Sequence, residues 1–403
     1  MLKKIPIGTK SFPKLVNNYY YLIDKTLLIK EFLERKHKVS LVTRPRRFGK
    51  TINMSTLAEF FDITKDSANL FKGTKIMDTP YASEMNQYPT IFISFIDAKS
   101  SRKQTVRFIK NQIQNEYERY DYIFENMTQL EKNDYDLIIK GIMNKYNGAL
   151  ADVNYAIAFL MKMLKKYYQK DVMLFIDEYD IPFIEAHIGG FYNDIKDSLS
   201  MLFHTALKSS DDLRFAFLTG TQHIAESCFD NASTCTVADE AYASYFGFTT
   251  EETRKLLNYY GLELTDEVKQ MYGGYKIGNQ DVYNPWSIMN YADNQVLDSY
   301  WDNTSEIVMI RNALEEVIQN DSTFKDEYDE FIINGSEEVT AFLETCFYEN
   351  ASQNTLWGLF INAGYLTIDE ELGDDEYIIR IPNKEVRKDF IQFIESYLSL
   401  NKG

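Results

Sequence analysis

The stretch "LVTRPRRFGKTIN", residues 41 to 53, decides how the rest of the chain is read. It closes with Gly49, Lys50 and Thr51, the second half of the phosphate-binding pattern G-x-x-x-x-G-K-[ST], but Arg44 stands where that pattern opens with glycine. Such a loop works because successive backbone N–H groups point inward and the following helix N-terminus adds a positive field. Gly49 permits close approach, Lys50 can reach the outer phosphates, and the Thr51 hydroxyl can ligate magnesium. Pro45 confines Arg44 to extended backbone, so the loop is entered differently while the nest at Phe48 to Thr51 need not change. Arg46 and Arg47 either contact phosphate oxygens or pair with carboxylates that hold the loop. The flanks fit: "KVSLVT" (38 to 43) reads as a buried strand, and "TINMSTLAEFFD" has helical spacing at Met54, Leu57, Ala58 and Phe61.

A second apolar run, "VMLFIDE", delivers Asp177 at a strand end, where it can hold magnesium through water. Glu178 follows directly and can orient an attacking water. A third, "LRFAFLTG" (213 to 220), ends near Thr219, placed either to touch that water or the terminal phosphate or to act as a local cap. His223 reads as structural, and Asp180 either caps the next helix or orients a loop arginine. With "TIFISFI" (90 to 96) as a further strand and two or three amphipathic helices between 102 and 168, the pattern predicts an open parallel α/β sheet. Ligands of such a sheet sit at the carboxyl ends of its strands.

Composition narrows the function classes. The chain has 403 residues, 45% of them apolar, enough for two or three domains with proper cores. A formal charge of −17 argues against a nucleic-acid binder, since phosphate-backbone affinity comes largely from lysine and arginine. No apolar run is long enough for a membrane span, and the N-terminus has no leader pattern, so a soluble cytoplasmic protein is expected. Cys228, Cys235 and Cys346 match no zinc or disulfide spacing and are read as reduced thiols. The histidines show no helical metal-site spacing.

After "YFGFTTEET" the pattern turns helical without apolar strands. Thr249 with Glu252, and Asn284 followed by Pro285, are helix-start signatures. The last stretch reads as helix, strand, acidic turn, strand, helix. Expected boundaries are 1–247 for a phosphate-loop core with its N-terminal segment, 248–319 for a helical lid, and 320–403 for a small α/β or winged-helix-like region.

In order along residues 6 to about 305, the segments "PIGTKSFPKLVNNYYYLIDKT", "TRPRRFGKT", "FIDEYDIP", "FLTGTQHIA", "YFGFTTEET", "YGGYKIGNQDVYNPWSIMNY" and "YWDNTS" resemble the bacterial AAA-ATPase-like family of P-loop NTPases. The resemblance implies that arginine at the first loop position is the family's own version. It also implies an extra strand between the loop strand and the Asp177 strand, the additional-strand, catalytic-glutamate arrangement, with "YYYLIDKT" flanking the adenine. Two departures stand out: the family usually has arginine where this chain has His223 and aspartate where it has Gly273. Members often carry a C-terminal PD-(D/E)XK nuclease domain; no such motif precedes Gly403, so no nuclease activity is expected of this chain.

The expected function is an ATP-binding protein and slow magnesium-dependent ATPase acting as a conformational switch, with an unidentified protein partner and an oligomeric state that the sequence leaves open, as it leaves ATP against GTP. In that reading Glu178, Lys50 and Thr219 are catalytic, Arg46 to Thr51 bind nucleotide, and Thr51 and Asp177 hold the metal. The alternatives are a nucleotide-gated interaction module that does not hydrolyse and a DNA-associated ATPase using the C-terminal region as a winged domain.

Overall fold

A computed structural model describes residues 2–125, 127–146, 148–224, 229–301, 310–317, 324–388 and 390–391. Its centre is a five-stranded sheet made of β1 (Val39–Thr43), β2 (Thr90–Ser94), β3 (Val172–Asp177), β4 (Leu213–Gly220) and β5 (Ser233–Cys235), in the order β2-β3-β4-β1-β5. Every pairing is parallel. The register sets Leu41 beside Leu218 and Phe175 beside Phe217, and all residues of β1 and β3 are buried. Uninterrupted apolar strands of this kind require cover on both faces. The strand β4 therefore separates β1, which feeds the phosphate loop, from β3, which ends at Asp177, as the resemblance implied.

The helix Lys50–Phe61 supplies much of that cover. Nine of its residues are buried, among them Met54, Leu57, Phe60 and Phe61, so it is buried nearly all round. Three helices, Arg102–Arg119, Gln129–Met143 and Ala156–Tyr168, fill the interval expected for two or three. The second starts with a capping box of Thr128 and Glu131, which satisfies orphan amides at both partners. The edge strand β5, only Ser-Thr-Cys, gave no sequence signal; it is held by pairing with β1.

Both helix starts anticipated beyond residue 247 are present. Thr249 and Glu252 form a capping box on the helix Thr250–Tyr259, and Asn284 caps the helix Pro285–Asn294 through the Trp286 amide. The expectation of an all-helical region is corrected, however. An antiparallel sheet of β6 (Phe248–Thr249), β7 (Tyr275–Ile277) and β8 (Gln280–Tyr283) runs through it. Its hairpin turns at Gly278, whose φ of +51° glycine adopts without side-chain strain. Towards the C-terminus, β9 (Ser336–Thr340), the helix Gln353–Ala363, β10 (Thr367–Gly373) and β11 (Glu376–Arg380) make a second antiparallel sheet ordered β10-β11-β9. The acidic turn is Asp374-Asp375, both with positive φ, as a tight hairpin demands.

One large core runs from Phe12 through the parallel sheet to Trp357 and Phe390, so the C-terminal region shares the interior of the sheet domain. Leu256, Leu257, Val268, Tyr272, Tyr283, Ile288 and Ala292 form a separate, smaller core. The expected boundary at 319/320 and Cys228 lie outside the described residues. Cys235 and Cys346 are buried free thiols, and burial pushes them up to about 11 and about 12, which leaves them unreactive near neutrality. Among the described residues no helix is long and apolar enough to cross a membrane.

Candidate functional site

The carboxyl ends of β1, β2 and β3 open towards a cavity of about 520 Å³. Its floor is the loop Arg46 to Asn53 with Glu178; its walls are the N-terminal segment at Tyr21, Leu22 and Ile23, and Phe248, Leu256, Trp286 and Met289 from the second region. A pocket with a largely apolar wall and convergent polar groups at one end suits an amphiphilic ligand such as a nucleotide.

The loop is shaped by two left-handed residues, Arg47 at φ +66° and Gly49 at φ +88°. Gly49 is the N-cap of the helix that follows, and the Asn53 amide bonds back to its carbonyl at 3.1 Å. The amides before Asn53 thus have no acceptor within the helix and lie along the cavity. Phe48 contributes only its backbone: the ring is buried edge-on against Tyr275, centroids 5.0 Å apart, and its carbonyl accepts from the Gly247 amide.

The three arginines divide. Arg44 is fully buried and points away from the cavity, donating to the carbonyls of Thr43, Cys235, Thr236 and Ala241 at 2.5 to 3.0 Å. It knots the end of β1 to the chain around β5, which explains how the loop dispenses with its first glycine. Burial pulls its guanidinium down to about 10, still charged at neutrality. Arg46 and Arg47 line the cavity.

Lys50 is 3% exposed, and its ammonium lies 3.0 Å from the Arg44 carbonyl, 3.2 Å from the Pro45 carbonyl, and 3.5 Å from both Thr221 Oγ1 and Glu178 Oε1. Behind it, Asp177 is fully buried and accepts from Thr219 Oγ1 at 2.9 Å, Ser94 Oγ at 3.1 Å and the Thr51 hydroxyl. Burial, then the neighbouring Glu178, raise its carboxyl to about 7. Glu178 faces the cavity with φ +53°, a strained backbone that costs on the order of 1 kcal/mol and is common at working sites. Its Oε2 has no hydrogen-bond partner among the described residues.

Thr219 does not line the cavity; its hydroxyl donates to Asp177 and so orients that carboxylate. The side chain that does approach Lys50 from this strand end is Thr221, which the sequence reading passed over. Asp180 explains why: its Oδ2 accepts from the Thr221 and Gln222 amides at 2.7 and 2.8 Å, bending the chain after β4 towards the cavity. Burial and Glu178 push Asp180 up to about 6. His223 turns away to the Glu344 carbonyl at 2.6 Å, in keeping with a structural role. Gly273 closes a helix where an added Cβ would lie 2.7 Å from the Lys269 carbonyl and 3.0 Å from Tyr283, so an aspartate does not fit this backbone.

Among the described residues no group of three or more His, Cys, Asp or Glu side chains is arranged to hold a metal. A magnesium ion asks less of a protein, commonly one or two oxygen ligands beside substrate phosphates and water. The Thr51 hydroxyl beside the Asp177 carboxylate is a donor set of that kind.

The model of the family described as predicted AAA-ATPase matches residues 6–229. The chain belongs to this family. Membership points to nucleotide binding, with the matched stretch spanning the loop, Asp177 and the β4 strand end. A protein of Azotobacter chroococcum mcd 1, described as an uncharacterized protein in the vnfD 5′ region, is 25% identical over 406 residues, covering 96% of this chain and 68% of that protein.

Proposed function

We propose that the chain binds a nucleoside triphosphate, ATP in the first place, and hydrolyses it slowly. The observation that carries this reading is the meeting of Lys50 and Glu178, 3.5 Å apart, from the ends of β1 and β3 on one cavity, beside a helix N-terminus. The apolar wall at Tyr21, Leu22, Ile23 and Met289 suits a purine base. In this reading the amides from Phe48 to Thr51 and the Lys50 ammonium hold the phosphates, and the Arg46 guanidinium adds charge at the cavity edge. Thr51 and Asp177, the latter held in place by Thr219 and Ser94, would keep magnesium, which when bound offsets charge on the phosphate oxygens. Glu178 aligns the attacking water, and positioning with charge stabilisation does the rest.

The test is a pair of variants. Glu178→Gln should keep ATP binding and lose phosphate release by roughly two orders of magnitude, as expected for loss of a general base. Lys50→Ala should lose both. Unchanged turnover in the two variants removes the assignment.

A second reading, a nucleotide-gated interaction module, is favoured by one feature: His223, where the resemblance implies an arginine, is turned to Glu344 and does not line the cavity. ATP retained through gel filtration with phosphate release below the reach of the assay would select it. The DNA-associated reading, with the C-terminal region as a winged domain, loses support because nine residues of the helix Gln353–Ala363, the element such a domain would offer to a groove, are buried.

A further inference from the structure

Two stretches unused by the phosphate chemistry meet on one side chain of the loop, and a third braces them. The Arg47 guanidinium carbon lies 4.4 Å from the centre of the Trp286 ring, and Nη1 donates to the Tyr300 carbonyl at 3.1 Å. That carbonyl also accepts Trp286 Nε1 at 2.9 Å. From the C-terminal region, the buried Glu385 fixes the tract: Oε1 accepts from the amides of Tyr300 and Trp301 at 2.6 and 2.9 Å, and Oε2 from the Ser287 hydroxyl at 2.8 Å. Arg47 keeps its φ of +66° two residues before Gly49, on the cavity wall.

A guanidinium is planar and carries five N–H donors, so stacking on an indole uses one face and leaves its edges for oxygen acceptors. Ionised phosphate oxygens are stronger acceptors than a neutral carbonyl. Resting on the nucleotide reading above, we propose that Arg47 and Trp286 form a latch that reports a bound triphosphate. Arg47 exchanges the Tyr300 carbonyl for outer phosphate oxygens while staying on the Trp286 face. Trp286, Tyr300 and Glu385 are positioning residues: they aim Arg47, and they pass its displacement to the region of residues 248–294 and to the C-terminal region. A diphosphate lacks the outermost oxygens and leaves the Tyr300 contact in place.

Trp286 makes the exchange visible, because it is half-buried while Trp301 and Trp357 are buried, so acrylamide quenching of the full chain samples Trp286 selectively. Quenching is measured with magnesium and either a non-hydrolysable ATP analogue or ADP, beside equilibrium dialysis of the same radiolabelled nucleotides. The analogue should change the quenching and ADP should not. Arg47→Met should bind the analogue roughly tenfold more weakly, the loss expected for a hydrogen bond to charged groups, and show no quenching change at saturation. Trp286→Phe should weaken the analogue severalfold and leave ADP affinity alone, since only the aim of Arg47 is disturbed. Analogue bound with quenching unchanged, or Arg47→Met keeping the change, overturns the latch alone. Dialysis with neither nucleotide bound removes the nucleotide reading and the latch with it.

Discussion

Lys50 and Trp286 face the same cavity, yet they are held by different interiors. Lys50 opens a helix with nine buried residues in the core that runs through the parallel sheet. Trp286 sits on a helix whose Ile288 and Ala292 belong to the separate small core. The floor is thus fixed by strand register and burial, while the roof, the helices Thr250–Tyr259 and Pro285–Asn294, packs in the small core; the hairpin beside those helices sends Tyr275, Ile277 and Val282 into the large core, and Arg47 reaches Trp286 across the cavity. A rigid floor suits chemistry that depends on fractions of an ångström, and a separately packed roof suits motion.

The sharpest way to break that comparison is to make the same substitution at the arginine under the floor and at the one that reaches Trp286. Arg44→Ala strips four main-chain carbonyls of a buried donor and should cost about 3 to 5 kcal/mol of unfolding free energy, since each buried acceptor left unsatisfied costs about 1 to 3 kcal/mol and the Thr236 carbonyl keeps the Asp239 amide. Arg47→Ala should cost no more than about 1 kcal/mol, as surface-side pairings do, while weakening triphosphate binding. Denaturant melts of the two variants decide it; equal losses contradict the division.

Next comes the acidic cluster under the cavity. Asp180 is raised to about 6 in the folded chain, so folding retains a proton that the unfolded chain has released above the ordinary carboxylate range. Stability is then highest below about pH 4 and falls as pH rises through 6, by up to about 3 kcal/mol from this group. Asp180→Asn can still accept from the Thr221 and Gln222 amides, so it should flatten the slope and stabilise the chain at pH 7. Asp177, raised in the same direction, keeps part of the fall. A pH series of melting midpoints in which the variant tracks the natural chain rejects this account.

The smallest effect belongs to the roof. Thr249→Ala removes a capping box and should cost about 1 kcal/mol, with Lys50-dependent binding changed by less than about threefold. A larger loss of affinity would mean that the roof is as rigidly coupled as the floor.

How legible these parts were follows the same division. The strands ending at Thr43, Asp177 and Gly220 could be read because strands buried on both faces are apolar runs, and the placing of Lys50 and Glu178 on one cavity followed from both lying just beyond such strand ends. The hairpin Tyr275 to Tyr283 was missed: its strands are three and four residues long, and its Gly278-Asn279 turn was the only cue. Thr219 was read as facing the site or as a local cap; its hydroxyl goes to Asp177, and Thr221 two positions on is the one that nears Lys50, because the bend imposed by Asp180 on the Thr221 and Gln222 amides is a tertiary effect. The inward turn of Arg44 depends on carbonyls some 190 residues away, and no local pattern announces it.

The central claim is that a triphosphate rests on the Phe48 to Thr51 amides with the 177–178 carboxylates beneath it. Calorimetric titration of the full chain with Mg·ATP tests it most directly. The account predicts one saturable site in the natural chain and no detectable heat of binding in Lys50→Ala at the same concentrations and unchanged thermal stability. Equal binding by the two proteins would contradict it.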